Sequence, residues 1–313
     1  MYDWRPAAPR PPHACLREHV QYFSRLGWAL LAETAAMLIV QVVLTGALTL
    51  AAPGLLTRGS VLWLISVASV YGAGVPAACL LLRRIPAPPP TPGRLLGPGR
   101  FFQVYVAGLG VMYLVNFATL ALTGLIGRLR GAPVPNPVES MSAFPLPLSL
   151  LLGCVIAPVT EELLFRRMLL ERLRPYGEGF AIAASALCFG LFHGNLNQLF
   201  YACALGLLLG WTAVKTGRLW QPILLHALVN FISTGLVPLL ELLGDVGALI
   251  LSCFILAAIL LGAVFLAVLR REVELAPGSM GLSRGWTWRL FFENPGVICF
   301  CLFSLGIAAL YFL

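Results

Sequence analysis

Residues Leu146–Leu170 read LPLSLLLGCVIAPVTEELLFRRMLL. A stretch of this length and apolarity is long enough to cross the roughly 30 Å hydrocarbon layer as a helix, yet it carries two adjacent acids, Glu161 and Glu162, followed by Arg166. An ionisable group at membrane depth is costly unless it is paired, so such residues line a cavity, a relay or a reaction centre. A membrane span must satisfy its own backbone polar groups, which makes the segment helical. Glu162 and Arg166 then share a face at i,i+4 with the acid on the N-terminal side, the favourable orientation for an ion pair. Glu161 points about 100° away and must find its partner on another helix.

The rest of the chain fits a membrane setting. Of 313 residues 59% are hydrophobic and only 11% charged, with mean hydropathy +0.88, which excludes an ordinary water-soluble domain. Apolar runs occur at about 26–52, 61–82, 101–126, 146–170, 180–194, 199–214, 219–237, 246–269 and 296–313. The predicted fold is therefore an all-α polytopic transmembrane bundle of eight to nine helices, with the site on the fourth, fifth and seventh spans. Arginines alternate between loops. Arg5, Arg10, Arg17, Arg25, Arg83, Arg84, Arg94, Arg100, Arg167, Arg172, Arg174, Lys215, Arg218, Arg270, Arg271, Arg284 and Arg289 fall on one side, and Arg58, Arg128 and Arg130 on the other. This asymmetry places the N-terminus in the cytoplasm. The net charge of +8 suits anionic headgroups and does not call for nucleic acid.

Four regions are expected: a disordered Pro- and Arg-rich cytoplasmic tail, 1–25; N-terminal membrane helices, 26–145, interrupted by a polyproline-like cytoplasmic linker at 83–100; a catalytic core, 146–237; and C-terminal helices, 238–313. The first apolar run is too long for a signal-peptide core and reads as a retained helix. Eight cysteines are scattered through apolar runs, with no spacing that suggests a disulfide frame or a zinc site.

Two later spans carry histidine at i,i+4 spacings: Phe189 with His193, and His226 with Asn230. Counting about 1.5 Å per residue from the basic helix ends, Glu161, His193 and Asn230 fall at similar depth and His226 about one turn shallower. A carboxylate and an imidazole flanking a water can act as general base for hydrolysis, which nominates Glu161 and His193. A second imidazole and an amide can donate to an oxyanion, which nominates His226 and Asn230. Glu162 and Arg166 read as a supporting pair and Phe189 as an apolar wall. Asn195, Asn197 and Gln198 either orient His193 or bind substrate backbone, or they form a simple polar loop. Glu33 is expected near the cytoplasmic end of the first span, within reach of water or headgroups. Glu and His are also zinc ligands, but HExxH is absent and Asn230 suits a hydrogen-bond donor better, so no metal or other cofactor is expected. A zinc-dependent peptidase, a non-catalytic scaffold or bacteriocin-immunity protein, and a transporter with a proton relay remain as alternatives.

The motifs EExxxR, FxxxH and HxxxN, in this order on successive membrane helices, resemble those of the CAAX-protease and bacteriocin-processing (CPBP, Abi-type) family. The likeness extends to the runs Phe189–Gln198 and Leu219–Asn230. It implies an intramembrane glutamate-type endopeptidase with Glu161 as base, His193 as its partner, and His226 with Asn230 at the oxyanion. The implied substrate is a membrane-tethered protein or peptide whose identity does not carry over, since family members differ in what they cleave. Lys215 is the sole lysine, a usage that suggests a GC-rich bacterial genome and hence a bacterial inner membrane.

Overall fold

The computed structural model describes residues 12–89, 92–137 and 143–311. These form α1 (Pro12–Ala51), α2 (Gly59–Leu82), α3 (Pro98–Arg130), α4 (Leu146–Tyr176), α5 (Glu178–Phe192), α6 (Leu196–Thr216), α7 (Trp220–Glu241), α8 (Gly244–Glu272), α9 (Arg284–Phe292) and α10 (Pro295–Leu310). The protein is an all-α membrane bundle. Seven helices are long and apolar enough to cross a bilayer, and up to eight if α9 and α10, bent by 67°, form one broken span. At 15 residues, α5 is about 22 Å long, short of a full crossing.

α4 is the central strut, packed by α2, α5, α6 and α7, while α1 with α10 closes one flank and α3 with α8 the other. Small residues set the approach of α3 to α8. A Cβ on Gly110 would lie 2.6 Å from the Ala258 carbonyl oxygen, and one on Gly262 would lie 2.8 Å from that of Val106. In lipid, where apolar tails compete for side-chain contacts, such close backbone packing holds helices together.

Two expectations need correction. Helix α1 begins at Pro12, so residues 12–25 are not a disordered tail. Phe23 is fully buried with its ring 4.5 Å from Tyr176, 5.8 Å from Phe180 and 5.5 Å from Phe291, an aromatic cluster that ties the helix start to α4, α5 and α9. Residues 1–11 lie outside the described residues. The 83–100 linker ends where α3 starts at Pro98, and it is docked rather than loose. The Arg94 N–H donates to the Lys215 carbonyl at 3.2 Å, and Leu96 exchanges two hydrogen bonds with the Gln221 amide at 3.0 and 2.9 Å. Its prolines supply no N–H, so the remaining donors take acceptors from α6 and α7. Residues 90–91 lie outside the described residues.

Segments grouped by their arginines do meet at one end of the bundle. His19 Nδ1 lies 2.9 Å from the Tyr176 hydroxyl, Arg172 Nε donates to the Ile85 carbonyl at 3.0 Å, and Ala276 N–H donates to Glu178 at 2.9 Å.

Four stretches wind with wide i→i+5 turns: 67–74 in α2, 152–156 and 163–170 in α4, and 232–236 in α7. Three of them run up to a proline, Pro76, Pro158 or Pro238. A proline inside a helix has no N–H and its ring clashes with the carbonyl four residues back, and widening the preceding turn relieves that clash. Wide turns of this kind gather at functional sites, and here they flank the acids of α4.

Candidate active site

Glu161 and Glu162 sit between the two wide-turn stretches of α4, and both are buried. Glu162 Oε2 lies 3.1 Å from Arg166 Nε, with both side chains sealed from solvent. The contact is an ion pair without hydrogen-bond alignment, and the guanidinium has no hydrogen-bond partner among the described residues. It stacks instead over the Phe189 ring, 4.6 Å from its centre, a cation–π contact that offsets part of its desolvation.

His226 of α7 spans both acids. Its Nδ1 lies 3.0 Å from Glu162 Oε1 and its Nε2 lies 3.8 Å from Glu161 Oε2. A carboxylate only accepts, so Nδ1 carries the proton that Glu162 receives. The other oxygen of Glu161, Oε1, accepts a 2.9 Å hydrogen bond from the Tyr71 hydroxyl of α2. The expected partner on another helix is therefore Tyr71 together with His226.

His193 follows the last residue of α5. Its Nδ1 lies 2.8 Å from the Phe189 carbonyl oxygen, which can only accept, so Nδ1 is protonated and Nε2 keeps its lone pair. It stands within electrostatic reach of Glu161, His226 and Arg166. The Phe189 ring fits edge-on between the two imidazoles, 5.0 Å from His193 and 5.7 Å from His226. The turn that carries His193 is built by Gly194 at φ +60° and by Asn195, which caps α6 through the Gln198 N–H and donates to the His193 carbonyl. A Cβ at Gly194 would approach Ile307 of α10 to 3.2 Å. Asn197 donates to the Pro135 carbonyl. Asn195 and Asn197 thus fix the turn.

Asn230 does not sit at the depth the residue count gave. Its Nδ2 donates to the Gly153 carbonyl at 2.8 Å, two turns before Glu161 on α4, while His226 is level with the acids. The count assumed a uniform rise, whereas the wide turn over 163–170 packs more residues into each turn and brings Glu161 nearer the basic end. The Gly153 bond has its own cause. The Ala157 N–H is spent on the Leu152 carbonyl, and the next donor in the wide ladder is Pro158, which has none. Asn230 satisfies the orphaned acceptor.

One polar residue escaped the sequence reading and another was misplaced by it. Tyr71 stands in a small-residue stretch, Ser69-Val70-Tyr71-Gly72-Ala73-Gly74, with nothing local to mark it. Glu33 was expected to reach water, but it is 1% exposed, because α1 starts 14 residues before the apolar run and carries position 33 into the bundle. Among the described residues no group of three or more His, Cys, Asp or Glu side chains has the spacing to hold a metal ion.

Residues 143–232, which carry every one of these motif positions, match the family described as "Type II CAAX prenyl endopeptidase Rce1-like". That segment is similar to the CAAX-protease family. The chain is also similar to a curated protein of Bacillus subtilis (strain 168) named "Putative membrane peptidase YdiL", at 29% identity over 86 residues, 27% of this chain and 35% of the relative. The chain thus spans about a third of that relative's length. No solved structure matches. The CAAX-protease segment coincides with α4 to α7, whereas Tyr71 and Glu33 lie outside it.

Proposed function

We propose that this integral membrane protein is an intramembrane endopeptidase that hydrolyses a peptide bond of a membrane-tethered protein or peptide with a glutamate-activated water. One observation carries the reading: two adjacent buried acids on one span face a single imidazole from another, with only Glu162 neutralised by an arginine on its own helix. Glu162 is used up in fixing His226 and Arg166. Glu161 keeps Oε2 for chemistry.

In this reading a water between Glu161 Oε2 and His193 Nε2 gives its proton to Glu161 while its oxygen bonds to the scissile carbonyl carbon. The second amide hydrogen of Asn230, and His226 in its imidazolium form held by Glu162, donate to the oxyanion. The intermediate collapses as the C–N bond breaks, and the proton on Glu161 passes to the departing amine. Phe189 excludes solvent and orients both imidazoles. The family match supports a CAAX-type protease, and a farnesylated peptide ending in a CAAX sequence is the natural first probe. We place the protein in the inner membrane of a bacterium with its N-terminus in the cytoplasm.

The test uses the full chain in lipid nanodiscs with an internally quenched farnesylated CAAX peptide, alongside C-terminal profiling of membrane proteins from cells with wild-type or Glu161→Gln protein. Cleavage by wild type, none by the folded Gln variant, and activity that survives phenanthroline are expected. An active Gln variant overturns the assignment, and loss on chelation restored by zinc selects a metallopeptidase.

A further inference from the structure

The buried cluster holds an acid that the proposed chemistry does not use. Glu33 Oε2 accepts from the Thr34 hydroxyl at 3.0 Å, while Oε1 has no hydrogen-bond partner among the described residues. Oε1 lies where a Cβ at Gly74 would come within 2.7 Å, so a glycine of α2 makes room for this carboxyl in the wall that carries Tyr71. Glu161 and Tyr71 both lie within its electrostatic reach. A buried polar atom left unbonded in a native fold calls for a reason.

Charge counting supplies one. Glu33, Glu161 and Glu162 are all buried, with one guanidinium, Arg166, among them. His226 bridges two of the acids and His193 stands nearby. With His226 as imidazolium the five charged groups, Glu33, Glu161, Glu162, Arg166 and His226, still carry one excess negative charge, and uncompensated charge in a low-dielectric interior is strongly disfavoured. Interacting acids in such a cluster titrate as a unit and share protons. Glu162 is the acid that lies against both cations, 3.1 Å from Arg166 Nε and 3.0 Å from His226 Nδ1. The shared proton therefore rests on Glu161 or on Glu33, and Glu161 is a base only if Glu33 has it. Each of these two acids accepts one hydroxyl hydrogen bond, Glu161 from Tyr71 and Glu33 from Thr34, so the neighbouring charges make the difference: Glu161 Oε2 faces His226 Nε2 at 3.8 Å, whereas the charged group within reach of Glu33 is another acid, Glu161.

We propose that Tyr71 and Glu33, supplied by the first two spans, complete the site: Tyr71 positions Glu161 by donating to Oε1, and Glu33 holds the proton that would otherwise neutralise this base. The proposal rests on Glu161 being the base. It makes the N-terminal helices part of the reaction centre rather than a shell around the CAAX-protease segment.

Infrared difference spectroscopy of the full chain in nanodiscs tests it without requiring turnover. Glu33→Gln is expected to abolish the C=O stretch of a protonated carboxyl, Glu161→Gln is expected to remove a carboxylate band instead, and Tyr71→Phe is expected to move that carboxylate band. Should Glu33→Gln not fold, Thr34→Val, which strips the hydroxyl from Glu33 Oε2, must shift the same C=O stretch. On the farnesylated CAAX peptide, Tyr71→Phe lowers kcat roughly 10- to 100-fold, the effect of one lost hydrogen bond to a charged acceptor, with KM within about twofold because the residue acts through Glu161. The proposal is overturned if the protonated-carboxyl band belongs to Glu161, or if Tyr71→Phe leaves the carboxylate band and kcat in place. Failure of the wild type to cleave the peptide counts against the peptidase reading on that substrate, while the spectra still decide the roles of Glu33 and Tyr71.

Discussion

Asn230 closes the hydrogen bond that Pro158 cannot make. The amide of α7 reaches across to the Gly153 carbonyl, whose donor in the wide-turn ladder would be the missing N–H of residue 158. The two helices are thereby pinned at Gly153, two turns before Glu161 on α4, and the second N–H of Asn230 has a fixed direction. An unsatisfied buried carbonyl costs about 1–3 kcal/mol, so Asn230→Leu should destabilise the protein by that amount. In a Pro158→Ala background, where residue 158 can donate, the same substitution should cost markedly less. Equilibrium unfolding in mixed micelles of the four proteins in this double-mutant cycle measures the coupling, and equal costs in both backgrounds would refute the link.

Glu161→Gln keeps shape and removes the base. Positioned general bases contribute about 10²- to 10⁴-fold, and kcat on the quenched peptide should fall by at least the lower figure while the thermal midpoint stays near that of wild type. A loss of activity that tracked a loss of folded protein would point to packing instead.

Arg166 and Glu162 form a fully buried pair. Removing one partner of such a pair typically costs about 3–5 kcal/mol, whereas replacing both is far milder. Arg166→Met alone should leave little folded protein after extraction in mild detergent, and Glu162→Gln with Arg166→Met should recover much of the yield. Fluorescence-detected size exclusion reads this directly. Comparable loss in the single and double variants would mean that the stacking of Arg166 on Phe189, rather than its charge, holds the site.

Gly262 lies against the Val106 carbonyl far from the acids. Gly262→Val forces α3 and α8 apart, and overpacking of this kind costs about 1–3 kcal/mol. Lower thermal stability with unchanged kcat per folded molecule is the expected pattern. A fall in kcat at full stability would show that the α3–α8 flank influences the chemistry.

Much of this organisation is legible in the sequence because apolar length and buried charge are local signals. The run 146–170 declared both its helix and its acids, and the four-residue spacings placed Arg166, His193 and Asn230 on definite faces. What escaped is what depends on helix irregularity or on other helices. The wide turn over 163–170 shortens α4 between Glu161 and its basic end, so counting put His226 and Asn230 at the wrong depth relative to Glu161. Glu33 looked superficial because hydropathy marks where a helix becomes apolar, not where it begins, and the polar first turns from Pro12 are helical as well. Tyr71 carries no mark in its own neighbourhood, since its importance comes from an acid 90 positions later.

The turn at Gly194 gives α10 a lever on the site. His193 is carried by a helix that stops partway and reverses, and that reversal leans on Ile307 of α10. Whatever tilts or unseats this closing helix, be it bilayer thickness or a neighbour in the membrane, would be transmitted through one glycine to the orientation of an imidazole.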